Sequence, residues 1–379
     1  MGKRLKIAVI GLRGFPDVQG GVETHCEHLY PRLVELGCEV VVFGRAPYLG
    51  DGVRTFKGVK VIPLSCPRKK SLETLVNTFL GCVAAKKQGC DVLHIHAIGP
   101  GFFTLFARIL GMRVVFTTHG SDYKRAKWGK FAKCFLRAGE YLACRFANEV
   151  IVISPVIAEE LKFVYGRESK LIPNGIDIPK LLKEGKTLEQ FDLKREKYIL
   201  SVGRFVQEKA FLDLIKAYTK AKISGHKLVV VGDADHDDAY SRSLKEMAKT
   251  NSNIVLTGKL KGDALAEIYS NASFFVIPSY HEGLPIVLLE AMSYERLCLA
   301  SDIAPNKCVE LDEDQYFHVG DVGQLSEKLR EFVGRVLSEE QKKGQIEKLR
   351  REYDWDEIAR RTLRVYEMVV KEVMGGGLR

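Results

Sequence analysis

The sequence predicts an α/β chain of two doubly wound parallel-sheet domains, and three observations support this. Short apolar runs alternate with longer amphipathic stretches almost throughout; a polar stretch interrupts the series, which then restarts; and 379 residues are too many for one small core. The runs at 7–11 (IAVIG), 40–43, 59–63, 92–96, 114–118 and 150–154 are strand-like, rich in Val and Ile and bounded by turn residues. Amphipathic patterns at 22–36, 72–87 and 131–147 supply helices between them. Strands that alternate with helices pair in parallel, and strands covered on both faces read as continuous apolar runs.

The second series has strand-like runs at 199–203, 228–232, 254–257, 274–278 and 297–300. Between the two lies NGIDIPKLLKEGKTLEQFDLKREK (174–197), polar and without sustained periodicity. The expected organisation is a first domain over 1–177, a linker over 178–197 and a second domain over 198–352. A C-terminal helix and tail follow over 353–379. Within 355–374, Ile358, Leu363, Tyr366 and Val369 fall on one side, so this helix is expected to pack back on the first domain.

Hydrophobic residues at 46% and charged residues at 28% are those of an ordinary globular protein. No uncharged apolar run of about 18 residues occurs, so no membrane-spanning helix is expected. The basic start and short apolar run of MGKRLKIAVIG read as a first buried strand, not a signal peptide, because the run is short and no small-residue cleavage site follows. Nine cysteines without a C-x-x-C pair exclude a disulfide framework and a Cys/His metal site. A cytoplasmic protein is expected. The net charge of +10 is uneven: residues 1–180 hold 27 Lys+Arg against 15 Asp+Glu. The first half therefore carries all of the excess and suits an anionic partner.

The most informative stretch is SYHEGLPIVLLEAM (279–292), with Glu282 and Glu290 seven residues apart. Pro285 favours a helix starting near Leu284, which puts Glu282 at a loop edge and Glu290 inside the helix. The N–H groups of Gly283, Leu284 and Ile286 would then face an anionic or hydroxyl-rich group. In SVGRFVQEK (201–209), Arg204 emerges at a strand tip and Lys209 at the next helix start, two cations placed to hold a diphosphate. Gly20 and Gly21 precede a helix starting at Val22, where backbone can approach a phosphate closely. His119 ends the strand VVFTTH, while His94 and His96 alternate along another strand, as core-facing or polar packing groups. The cluster Asp233, Asp235, His236, Asp237 and Asp238 reads as a solvated acidic loop, so no metal site is expected.

These motifs resemble the Glu-x7-Glu signature of retaining family-4 glycosyltransferases. Glu282, Gly283, Glu290 and Ala291 match its form E-G-x-x-x-x-x-x-E-A, with Pro285 where many members carry Gly. Gly203, Arg204, Glu208 and Lys209 match the family's G-R-x-x-x-E-K segment. Ala210 follows where Gly is usual, a change that helix propensity tolerates. GGVE at 20–23 and SDIAPNKCVE at 301–310 resemble further family segments, and the likeness runs from about Lys6 to Tyr366.

The resemblance implies the GT-B architecture, two Rossmann-like domains facing across a cleft. It also implies transfer of a sugar from a nucleotide-diphosphate sugar to a saccharide or lipid-linked acceptor, with retention and without a cofactor. Polysaccharide or glycolipid synthesis would be the setting. Glu290 would hold the ribose, Glu282 the sugar hydroxyls and His119 the sugar. Arg204 and Lys209 would stabilise the departing diphosphate, with Gly20, Gly21, Gly283, Leu284, Pro285 and Ile286 as backbone contacts. A sugar-nucleotide epimerase on the same fold is the alternative. A basic nucleic-acid-binding protein would explain the charge but none of the later motifs, so no nucleic acid is expected. Arg68, Lys69 and Lys70, and Lys124, Arg125, Lys127 and Trp128, combine cations with nearby aromatic and apolar anchors. Such segments suit peripheral docking on an anionic membrane.

Overall fold

The computed structural model describes residues 4–375, apart from 19, 51, 68–69, 121–122, 124–128 and 235–236. The chain divides into two compact units, Met1–Gly175 with Tyr353–Arg379, and Ile176–Glu352.

In the first unit the strands are β1 (Lys6–Ile10), β2 (Glu39–Arg45), β3 (Arg54–Phe56), β4 (Val59–Leu64), β5 (Val92–His96), β6 (Val114–Thr118), β7 (Glu149–Val152) and β8 (Lys170–Leu171). They form one sheet in the order β3-β4-β2-β1-β5-β6-β7-β8, parallel except where β3 meets β4. The second unit holds β9 (Tyr198–Val202), β10 (Lys227–Val231), β11 (Ile254–Gly258), β12 (Phe274–Ile277), β13 (Leu297–Ser301) and β14 (Tyr316–Phe317), ordered β11-β10-β9-β12-β13-β14 and parallel throughout. In both sheets the first strand of the unit is central and the order reverses beside it, the topological switch point where open parallel sheets bind ligands.

The eleven runs read as strands are strands here, within about two residues at their ends. Sequence reading missed β3, β8 and β14. Two or three residues are too short to show a pattern, and all three lie at sheet edges.

Glycines let the strand ends approach one another. At Gly11, after β1, φ is +99°, and a Cβ would lie 2.1 Å from the carbonyl oxygen of His96 at the end of β5. At Gly232, after β10, φ is +139°, and a Cβ would lie 1.8 Å from the carbonyl oxygen of Gly203 beyond β9. Only Gly fits either place.

The helix Trp355–Gly375 packs within the first unit, on the helix Gly21–Glu35. Ile358, Tyr366 and Val369 are buried in the same apolar cluster as Ile7, Val9, Leu29 and Val40. Trp355 stacks on His28, with ring centres 5.1 Å apart, and its indole fills the space above Gly175.

The stretch expected as a linker belongs to the second unit. The Glu267 carboxylate accepts from the backbone N–H groups of Gly185 (2.8 Å), Thr187 (3.3 Å) and Leu188 (2.9 Å), which open the short helix Lys186–Gln190. Ser270 and Asn271 bind Leu182. The anchoring partner lies some 80 residues away, so nothing local reveals it.

Candidate functional site

In the second unit, the turn between β12 and the helix Ile286–Ser293 carries Glu282, and the helix carries Glu290. The helix starts two residues later than expected. Pro285 is its N-cap (φ −78°, ψ 73°), and the Ile286 N–H donates to the Leu284 carbonyl at 2.9 Å. The Ile286 N–H is thus engaged in a tight turn centred on Pro285, and is withdrawn as a ligand donor. Leu284 is buried, so its side chain belongs to the core.

Glu282 is held on both sides. Lys209 Nζ lies 2.6 Å from its Oε1, and the Ser279 hydroxyl donates to the same oxygen at 2.6 Å. The Tyr280 N–H donates to the Glu208 carbonyl at 2.8 Å, and the Tyr280 hydroxyl to the Asp213 carboxylate. These contacts bind the 279–282 turn to the segment after β9, where Arg204 also sits. Behind the turn, Ser301 Oγ donates to the Ser279 carbonyl (2.6 Å), and Asn306 Nδ2 donates to Ser301 O (2.9 Å). The Ser-Asp-x-x-x-Asn segment thus braces the loop that carries Glu282.

Glu290 accepts from the Tyr269 hydroxyl at 3.0 Å. Tyr269 is buried and stacks on Tyr294 with ring centres 5.0 Å apart. Burial, and then the neighbouring Glu290 charge, hold its phenol well above the ordinary tyrosine range, so it stays a donor. Sequence reading missed Tyr269, which acts through a neighbour and has no spacing of its own; Ser279 and Ser301 lie inside stretches it singled out, without the contacts that make them braces.

Lys209 closes a single turn of 3-10 helix (Gln207–Lys209), and Ala210 follows in the left-handed region (φ 51°, ψ 30°) as N-cap of the helix Phe211–Ala221. The exchange for Gly judged harmless on helix propensity therefore falls outside the helix, at a backbone position that favours Gly.

A cavity of about 380 Å³ lies at the carboxyl ends of β9, β10 and β11, lined among others by Phe205, Gly232, Asp233, Lys245, Leu256 and Gly258. Asp233 pairs with Lys245 (3.0 Å), Asp237 with Arg242 (3.1 Å), and Asp238 caps the helix Ala239–Lys249 by accepting from the Ser241 N–H at 2.8 Å. Asp235 and His236 lie outside the described residues. Among the described residues no group of His, Cys, Asp or Glu could hold a metal ion.

In the first unit, Gly20 is the N-cap of the helix Gly21–Glu35, and Glu23 folds back beside it. Its carboxylate accepts from Arg13 N (3.0 Å) and Arg13 Nε (3.1 Å), so GGVE closes the preceding loop through that pair. His119 follows β6 and is partly exposed. It heads a network of rings: His96 Nδ1 lies 3.0 Å from His119 Nε2, and the Tyr30 hydroxyl 2.5 Å from His96 Nε2. His94 Nδ1 faces Tyr30 (2.9 Å) and Tyr366 (2.7 Å), and His94 Nε2 faces Thr117 Oγ1 (2.7 Å). His25 packs edge-on against His119, with ring centres 5.2 Å apart. Burial lowers His94 to about 3 and His119 to about 4, and His25 and His96 in the same direction, so all four are neutral at pH 7.

Of the residues expected to dock on a membrane, Arg68, Lys69, Lys124, Arg125, Lys127 and Trp128 lie outside the described residues. Lys70 opens the helix Lys70–Lys87, and its side chain is likewise outside them. No helix among the described residues is long and apolar enough to cross a membrane.

Residues 19–180 match the model of Glycosyltransferase Family 4, and residues 196–335 that of Glycosyl transferases group 1. An uncharacterised glycosyltransferase of Methanocaldococcus jannaschii is 28% identical over 98% of this chain and 100% of its own. A UDP-Gal:alpha-D-GlcNAc-diphosphoundecaprenol alpha-1,3-galactosyltransferase of Escherichia coli is 27% identical over 70% of each. The sucrose-phosphate synthase of Thermosynechococcus elongatus superposes with a TM-score of 0.82 at 21% identity, over 97% of this chain and 100% of that one. With both domain types in this order on a GT-B fold, the chain is a glycosyltransferase built of a family 4 domain followed by a group 1 domain.

Proposed function

We propose that this glycosyltransferase moves a hexose from a UDP-sugar to a hydroxyl of a lipid-diphosphate-linked or polysaccharide acceptor, with retention of configuration. The observation that carries the reading is the second unit's pair of carboxylates, each positioned by neighbouring donors: Glu282 by Lys209 and Ser279, and Glu290 by Tyr269. A carboxylate has about four lone-pair sites and accepts from the hydroxyls of a sugar or a ribose. Glu290 takes the ribose and Glu282 the sugar, while Arg204 and Lys209 offset the charge that grows on the departing diphosphate. The cavity lined by Phe205 and Gly258 is of a size for the base. In the first unit, His119 contacts the sugar, and Gly20 and Gly21 offer backbone to the donor. The departing phosphate oxygen helps take the acceptor's proton, since no side chain here is a dedicated nucleophile. The UDP donor and lipid-diphosphate acceptor are suggested by the printed name of the Escherichia coli relative. An epimerase would use the same donor with no acceptor, and nothing among the relatives named above favours it.

A thermal-shift series with UDP, GDP, ADP, dTDP and CMP tests the donor. UDP at 100 times its dissociation constant should add about 2.7 kcal/mol and the others less. Equal shifts with every nucleotide would remove the base assignment. The anomeric configuration of the first product, read by NMR, tests retention. Activity should persist in EDTA, because fixed cations stand where a metal would otherwise hold the diphosphate. The basic first unit is proposed to dock on the anionic membrane that carries the acceptor. Salt-sensitive flotation with anionic vesicles is expected, and indifference to lipid charge would leave a soluble acceptor.

A further inference from the structure

The helix Lys70–Lys87 is inverted with respect to an ordinary surface helix, which presents its polar side to water. Its inward side is polar or small: Glu73, Asn77, Thr78, Gly81, Cys82 and Ala85 are buried. Gly81 lies so close to the sheet that a Cβ would sit 2.7 Å from Ile10 of β1. The buried polar groups are held within the unit. Glu73 pairs with Arg45 (3.0 Å), Asn77 donates to the Gly44 carbonyl (3.0 Å) and Thr78 to the Thr74 carbonyl (2.6 Å). On the outward side Leu72, Phe79 and Leu80 are exposed, with Leu75, Val76 and Val83 half-buried beside them.

The apolar surface continues over the helices Ile98–Gly101, Thr104–Ile109 and Lys130–Phe146, which pack side by side with it. A line of ring contacts crosses them. Phe106 lies on Phe79 (5.1 Å between ring centres), Phe79 on Phe103 (6.4 Å), Phe103 beside Phe102 (5.8 Å) and Phe102 on Phe135 (4.9 Å). Phe102 is itself exposed. One helical turn beyond the two ends of this line, Ile109 and Phe131 stand 74% and 94% in solvent.

Charge narrows the partner. These helices hold two acidic residues, Glu73 and Glu140, and both are buried. Among their described side chains the exposed charges are Lys86, Lys87, Arg108, Lys130, Arg137 and Arg145, all positive. A second copy of the chain on this face would set one positively charged surface against another. An anionic bilayer instead offers phosphates to the cations and hydrocarbon to the rings. We propose that this face, from the helix Lys70–Lys87 across to Lys130–Phe146, is the surface by which the first unit enters an anionic lipid bilayer. Phe79, Phe102, Ile109 and Phe131 reach below the headgroups, and the cations lie among the phosphates. The proposal rests on the membrane docking stated above, and adds to it a place and an apolar contribution that salt does not screen.

Flotation of the full-length chain with vesicles of phosphatidylglycerol and phosphatidylcholine tests it. The chain should bind these vesicles, bind phosphatidylcholine alone more weakly, and keep part of its binding at high salt. Phe79→Ser combined with Phe131→Ser should lower binding about tenfold or more. Val336→Ser, at an exposed apolar residue of the second unit, should leave it unchanged. If the double variant fails to fold, Phe131→Ser alone carries the test, with a loss of about threefold expected at a side chain almost wholly in solvent. Undiminished binding of a folded variant would overturn the inserting face and leave charge-driven docking standing. Absence of wild-type binding to any vesicle would overturn both. A wild-type dimer that the double variant splits, read by light scattering, would assign the face to a second copy instead.

Discussion

Lys209 Nζ lies 2.6 Å from Glu282 Oε1, with both side chains largely shielded from solvent. The cation assigned to the leaving diphosphate and the carboxylate assigned to the sugar are therefore already partners before any ligand arrives. Each is held in place by the other, and a bound diphosphate has to share Lys209 with Glu282.

The pairing makes Lys209→Ala a double injury. It removes a cation from the departing diphosphate and leaves Glu282 shielded without its counter-charge, which should cost about 1–3 kcal/mol of stability. Adding Glu282→Gln should restore part of that stability in urea melts and none of the turnover. Two stability losses that simply add would show that the pair is not coupled.

Glu290→Ala should weaken nucleotide binding about ten- to hundredfold, because hydrogen bonds to a charged acceptor contribute about 1.5–3 kcal/mol. Tyr269→Phe should have a smaller effect in the same direction, since the carboxylate stays but loses the donor that orients it. Calorimetric titration with the nucleotide alone separates the two. Full affinity in a folded Glu290→Ala variant would remove the ribose contact.

Ala210→Gly should stabilise the protein by about 0.5–1 kcal/mol, which for a unit of this size is a rise of about 1–4 °C. The left-handed backbone at φ 51° disfavours any Cβ, and the gain outweighs the entropy that Gly adds to the unfolded chain. Differential scanning calorimetry decides. A lower transition would mean that the buried methyl contributes more by packing than its backbone costs.

Stability should fall with acidification below about pH 6.5. His94 and His119 titrate near 3 and 4 when folded and near 6.5 when unfolded. Above pH 6.5 neither state binds these protons and the stability is fully present. As pH falls towards the folded values, the unfolded chain takes up protons that the native state refuses. At pH 5.5 each ring should cost about 1.4 kcal/mol, with His25 and His96 acting in the same direction. Urea midpoints at pH 7.5 and 5.5 provide the measurement, and equal midpoints would contradict four neutral rings.

By itself the sequence determined the rhythm of the fold and the chemistry available to it. Eleven of the strands show as apolar runs because a sheet covered on both faces demands continuous Val, Ile and Leu, and that demand is local. Glu282, Arg204, Lys209 and His119 stood out because each falls at a strand end or turn, and Glu290 because it lies in the following helix at a recognisable spacing from Glu282. Tertiary structure alone decided who meets whom. Lys209 and Glu282 are 73 residues apart, and Tyr366 and His94 are 272 apart, so no periodicity can announce either contact. It also decided that Ala210 bends left-handed outside a helix, that 178–197 is anchored by Glu267, and that Ile286 turns its N–H inward. In each case the deciding partner lies across a turn or across the sheet, where a one-dimensional pattern holds no distance.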